Sequence, residues 1–66
     1  MRIEENEVIT RWWLDDTYAI HKHRDSNLYV LEYYRFGTNH MPDEIYYDET
    51  YERVYKVYER YTKMIG

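Results

Sequence analysis

Three runs of the chain are rich in β-branched and aromatic residues, and turn-forming residues punctuate them. EVITRWWL (residues 7–14) is followed by Asp15-Asp16, TYAIHKHR (17–24) by Asp25-Ser26-Asn27, and LYVLEYYRF (28–36) by Gly37, Thr38, Asn39 and then Met41-Pro42. Runs of this composition, bounded in this way, predict strands. Beyond Pro42 the period changes. Tyr47, Tyr51, Val54, Tyr58, Tyr61 and Ile65 recur at spacings of 4, 3, 4, 3 and 4, which predicts a helix over about 48–65. Asp48 suits its N-cap. Asp43, Glu44, Glu49 and Glu52 lie toward its start, and Arg60 and Lys63 near its end, an order that complements the helix dipole. Glu52 with Lys56 and Glu59 with Lys63 stand at i,i+4 in the favourable direction. DEIYY (43–47) fits a first helical turn or a short extended segment. The expected architecture is α+β, one compact domain over 1–66: a three-stranded antiparallel meander, then one C-terminal helix packed on one sheet face.

The strand register follows from the turns. If Asp15-Asp16 is a two-residue hairpin loop, Trp13 opposes Tyr18, Arg11 opposes Ile20 and Ile9 opposes Lys22. If the second loop centres on Asp25-Ser26, Ile20 opposes Leu31 and Tyr18 opposes Tyr33. One face then carries Ile9, Arg11, Trp13, Tyr18, Ile20, Tyr29, Leu31 and Tyr33, and its apolar centre is expected under the helix. The other carries Trp12, Leu14, His21, His23, Glu32, Tyr34 and Phe36, among others. It is expected to stay open, with Trp12, Leu14, Tyr34 and Phe36 as an interaction patch. A one-residue slip at either turn exchanges the faces of a strand.

Length limits what such a domain can do. A chain of 66 residues sits near the lower size for independent folding, where one core supplies only about 3–5 kcal/mol. Cysteine is absent, so neither disulfide nor thiolate metal site helps. Two tryptophans, ten tyrosines and one phenylalanine supply aromatic packing instead, each removing roughly 150–250 Å² from water when buried. Homodimerisation is the other expected compensation. A tyrosine on the helix stripe buries its ring while its hydroxyl reaches the edge of a thin domain. No apolar run approaches a membrane span, and MRIEENEVIT lacks a signal-peptide core. Cytoplasmic location is the expectation.

Candidate chemistry is sparse. His21 and His23 share a strand face with Glu32 diagonally opposite, a set that could bind a transition metal. Nothing else converges on them, and no metal or cofactor is expected. HKHR beside sheet aromatics would suit a single-stranded nucleic-acid platform, the alternative reading. A formal net charge of −4 opposes it, because backbone binders present basic stripes. No nucleophile–base constellation or phosphate-binding glycine loop occurs, so an enzyme is not expected.

Carboxylates cluster at Glu4, Glu5 and Glu7, at Asp15 and Asp16, and at Asp43, Glu44, Asp48, Glu49 and Glu52. Each cluster alone serves solubility, turns or caps. Spread over a small rigid surface, together they could imitate a nucleic-acid backbone and steer a nucleic-acid-binding protein onto the domain. The whole chain resembles, in profile, the small host-takeover and counter-defence proteins of bacteriophages: short, acidic, cysteine-free, aromatic-rich and a single α+β unit. No diagnostic residue carries that resemblance. The resemblance assigns no site and no activity; the expected function, from the acidic, tyrosine-bearing surface, is non-enzymatic protein binding, most concretely inhibition of a host protein by steric and electrostatic occlusion. The expected contacts are those carboxylates, with Trp12, Tyr34 and Phe36 as apolar anchors. A structural homodimerisation module is the remaining alternative.

Overall fold

A computed structural model describes residues 2–63. The fold is α+β, as expected, but the sheet has five strands: β1 (Arg2–Glu5), β2 (Ile9–Trp13), β3 (Tyr18–His23), β4 (Tyr29–Tyr33) and β5 (Asp43–Asp48), followed by the helix α1 (Tyr51–Lys63). The strands run as an antiparallel meander in the order β1-β2-β3-β4-β5. The two unexpected strands are the edges. β1 has one apolar residue, Ile3, and is exposed along its whole length, so it lacks the alternation that marks a half-buried strand. β5 resolves the ambiguity of DEIYY in favour of the extended form. A bulge interrupts its pairing: Leu31 opposes Tyr46, Glu32 opposes Glu44, and Ile45 is left over. A bulge re-aims side chains, and Ile45 and its neighbour Tyr46 both pack toward the helix.

The β3–β4 register is as the turn predicts, with Ile20 opposite Leu31 and Tyr18 opposite Tyr33. The β2–β3 register is not. Trp13 opposes Ala19, Trp12 opposes Ile20 and Arg11 opposes His21, one residue from the expected pairing. The turn explains the slip. A two-residue hairpin of type I′ needs positive φ at both central residues, and among the described residues no non-glycine residue has positive φ. Instead Asp15 Oδ1 accepts from the backbone N–H groups of Thr17 and Tyr18, both at 2.7 Å. The Leu14 N–H donates to the Tyr18 carbonyl at 3.0 Å, so three residues lie in the loop. This Asx-type turn adds one residue, and β2 turns over.

The consequence is a correction to the faces. Trp12, not Trp13, lies with Ile20 and Leu31 under the helix, along with Leu14, Tyr18, Tyr29, Ile45 and Tyr46. Ile20, Leu31 and Val54 are wholly buried there, each contributing roughly 1.5–3 kcal/mol by burial. Rings fill the remaining space: Trp12 meets Tyr51 at 5.4 Å and Tyr29 at 5.8 Å, and Tyr18 meets Tyr58 at 5.4 Å and Tyr33 at 5.1 Å. The helix starts later than expected. Thr50, not Asp48, caps it: its Oγ1 accepts from the Arg53 N–H at 3.3 Å and its carbonyl from the Val54 N–H at 3.4 Å. Tyr47 therefore belongs to β5 and is exposed, Tyr61 is exposed, and Ile65 lies outside the described residues. Of the predicted stripe, Tyr51, Val54 and Tyr58 face the sheet, joined by Val57. The charge order survives, with Glu52 in the first turn and Arg60 and Lys63 in the last.

Shortening the stripe makes its outer end dispensable. Leu31→Ala should cost about 2–5 kcal/mol, the range for emptying a closed aliphatic site, whereas Tyr61→Ala should stay within about 0.5 kcal/mol. Urea unfolding of both variants checks this. Equal losses would mean that Tyr61 belongs to the core.

Candidate functional site

The sheet face away from the helix has a core of its own. The Trp13 and Tyr34 rings lie 4.8 Å apart, tilted by 38°, and with Ala19 form a second buried cluster. The Arg2 guanidinium lies 5.0 Å above the Trp13 ring. Next to this cluster the register brings Arg11, His21 and Glu32 together from three adjacent strands. Glu32 is only 2% exposed, and both its oxygens are occupied. Oε1 accepts from Arg11 Nε at 2.9 Å and from the Tyr34 hydroxyl at 2.9 Å. Oε2 accepts from Arg11 Nη2 at 3.3 Å and lies 2.8 Å from His21 Nδ1. That last approach is a close electrostatic contact rather than an aligned hydrogen bond, because buried Nδ1 has no acceptor along its bond direction. Glu4 adds an outer contact to Arg11 at 3.7 Å, and Glu44 stands 3.9 Å from His21 Nε2.

Electrostatics follow this geometry. Burial pushes the Glu32 carboxyl up, but the contacts to His21 and Arg11 outweigh it and hold the group below the usual carboxylate value. Tyr34 is pushed up to about 12, by burial first and then by the Glu32 charge it faces. Arg11, His21 and Glu32 floor an open depression of about 700 Å³, ringed by Ile9, His23, Met41, Pro42, Asp43 and Glu44. Oε1 accepts two hydrogen bonds and Oε2 one, so the carboxylate couples β2 to β4 while His21 of β3 stands in close contact. Among the described residues no group of three or more His, Asp and Glu side chains is arranged to hold a metal. The cluster is built as a lock between strands.

The expected contact residues fall into different places. Trp12 is half-buried beneath the helix, and Tyr34 is buried in the second cluster with its hydroxyl spent on Glu32. Neither is an open-face anchor, and the reason is the β2 slip together with the demand of the buried carboxylate for donors. Phe36 is 71% exposed in the loop between β4 and β5. Asp15 is committed twice, to its turn and through Oδ2 to the Tyr58 hydroxyl at 2.9 Å. Burial, then that bond and the nearby charge, push Tyr58 up to about 12. Asp43 pairs with Arg35 at 2.8 Å, and Asp48 accepts from the Tyr46 hydroxyl at 3.1 Å and the Thr50 N–H at 3.3 Å.

The remaining carboxylates are divided. Glu5, Glu7, Glu49 and Glu52 lie toward one end of the sheet, where the β1–β2 and β3–β4 turns and the helix start are found. Asp15, Asp16 and Asp43 lie at the other, a strand length of roughly 17–20 Å away. Glu4 and Glu44 sit on the face between. Sequence reasoning missed Met41, which is 92% exposed, and the buried Arg11–Glu32 pair. A charged residue inside the apolar run LYVLEYY was the available signal for the second.

No protein-family model, curated protein or solved structure matches this chain. No helix among the described residues is long and apolar enough to cross a membrane.

The buried carboxylate gives two measurable outcomes. Glu32→Gln should cost about 1.5–3 kcal/mol at neutral pH, the scale of a hydrogen bond to a charged group. A depressed carboxyl contributes stability above its ordinary value of 4.5 and loses it as pH falls through the lower folded value. The gap between wild type and Glu32→Gln should therefore close in acid. At the other extreme, Tyr34 and Tyr58 move from 10.0 to about 12. The stability tied to their neutral phenols is present below pH 10 and lost as pH rises through 12. Phenolate absorbance should show these two lagging behind the other tyrosines, with unfolding accompanying their ionisation.

Proposed function

We propose that this chain is a non-enzymatic protein-binding module whose contact surface is the loop between β4 and β5. One observation carries the reading. In a domain short of core, Phe36 and Met41 are 71% and 92% exposed. The loop that presents them is ordered by its own bonds: the Gly37 N–H donates to the Tyr34 carbonyl and the His40 N–H to the Gly37 carbonyl, each at 3.3 Å. Gly37 adopts φ 92°, a conformation that glycine reaches without strain. His40 flanks the Phe36 ring at 6.3 Å, and Arg35 lies 5.7 Å from its centroid while holding Asp43. Asp16 stands on the neighbouring turn. Large apolar side chains on a held loop, rimmed by carboxylates, match the anatomy of a contact patch. The partner this surface fits is a protein with an apolar pocket and a basic rim, and the mode of action is steric occlusion of that pocket.

Inhibition by nucleic-acid mimicry is a narrower form of the same reading, and Glu5, Glu7, Glu49 and Glu52 would carry it. β1 and β5 are opposite sheet edges, about 19 Å apart at strand spacings near 4.8 Å. That density is thin beside duplex DNA, with one charge per roughly 1.7 Å of axis. The loop is therefore the first site to test. With a partner captured from lysate, Phe36→Ala/Met41→Ala should weaken binding by about 30-fold, as loss of a 2 kcal/mol hot spot does. Glu49→Lys/Glu52→Lys should leave it within a factor of about two. The reverse pattern would move the contact to the acidic end and overturn the loop assignment.

A further inference from the structure

β1 is an unprotected edge. Its four residues are all exposed and the strand packs against β2 alone. Its outer N–H and C=O groups face away from the sheet, a template for another strand. Ile3 is 57% exposed on the helix side, opposite half-buried Trp12. Arg2 and Glu4 lie on the other side, 3.4 Å from each other, with Arg2 also over the Trp13 ring and Glu4 3.7 Å from Arg11, all at the exposed margin. Exposed contacts of that kind are worth little and exchange readily.

We propose that β1 pairs antiparallel with the β1 of a second copy, about a two-fold axis at Ile3, to give one continuous sheet across a homodimer. Symmetry and charge select this arrangement. Opposed residues of antiparallel strands share a face, so a two-fold axis perpendicular to the sheet must set one residue against its own copy. An axis at Arg2 opposes two arginines, an axis at Glu4 two glutamates, and an axis at Glu5 two more glutamates. Only the axis at Ile3 opposes unlike charges: Arg2 faces the partner's Glu4, and Glu4 faces the partner's Arg2. Such cross-strand pairs contribute a few tenths to about 1 kcal/mol each, and like pairs oppose association similarly. On the other face the two Ile3 side chains meet, flanked by the two Trp12 rings, and the exposed apolar edge of the sheet is covered.

The other edge is a poorer match. β5 carries Asp43, Glu44 and Asp48 with no base, and its bulge bends it. Pairing two β5 strands sets three carboxylates against three. Joining β1 to β5 of another copy adds β5's carboxylates to Glu4 and Glu5, and it propagates into an open filament instead of closing. The β1 dimer leaves the loop bearing Phe36 and Met41 free, so it stands apart from the function proposed above.

A charge swap tests it. The interface is a four-residue strand edge, so association is weak and is to be read by sedimentation equilibrium up to about 1 mM chain, the bound for a −4 kcal/mol complex. Wild type should approach twice the 8.4 kDa of one chain. Arg2→Glu and Glu4→Arg should each raise the dissociation constant tenfold or more, and Ile3→Lys should do the same at an exposed position where folding is undisturbed. The double variant R2E/E4R should recover the wild-type constant within threefold. Circular dichroism reports that each variant is folded. A monomeric wild type at that concentration, a dimer indifferent to all three single changes, or a folded double variant that stays monomeric would each overturn the proposal.

Discussion

The two hydrogen bonds that Asp15 Oδ1 accepts from Thr17 and Tyr18 set the register of β2 on β3, and much of the molecule depends on that register. They provide the three-residue turn that no positive-φ residue is available to replace. Trp12 is thereby sent beneath the helix, and Arg11 opposite His21. The other oxygen of the same carboxylate accepts from Tyr58, so the turn that sets the sheet also anchors the far end of the helix. A side chain that reads as generic turn chemistry ties three elements together.

Once Arg11 faces His21, Glu32 on β4 can be buried. Its ion pair with Arg11, with Tyr34 donating a further bond and His21 in close contact, makes a carboxylate tolerable at a depth where an unpaired one is strongly disfavoured. The cluster couples β2, β3 and β4 on the face the helix does not cover. Trp13 packed against Tyr34 continues it toward the sheet end. The Trp13 ring lies between the Tyr34 ring at 4.8 Å and the Arg2 guanidinium at 5.0 Å. A 66-residue chain thus holds two small cores, one aliphatic-aromatic under the helix and one polar-aromatic behind the sheet. Aromatic rings, in place of a disulfide, fill the gaps between them.

Tyrosine on the helix is explained by this thin construction. Tyr51 and Tyr58 pack their rings against Trp12, Tyr29 and Tyr18, and the Tyr58 hydroxyl reaches the exposed margin, where it donates to Asp15. Tyr55 is exposed, yet its ring lies 6.2 Å from Tyr51 and 5.5 Å from Tyr58, extending the aromatic row past the covered zone. Tyr46, which pattern alone could not place, packs from β5 onto the same cluster. These rings form an outer layer over very few aliphatic side chains.

The α+β class, the three central strands, the β3–β4 register, the helix and its charge order were all legible in the residues. Each rests on local period or local turn chemistry, which the chain states directly. The edge strands were not legible. β1 buries nothing and so shows no alternation, and β5 is broken by a bulge that interrupts its alternation. The candidate anchors divided for the same reason. Phe36 lies in a loop, where local sequence decides exposure. Trp12 and Tyr34 lie where one extra turn residue and one buried carboxylate decide it. Composition alone established an acidic, cysteine-free domain that must pack with rings. Which face each ring takes, and which carboxylates remain free, was settled only by tertiary structure, because a period of two turns a one-residue slip into a change of side.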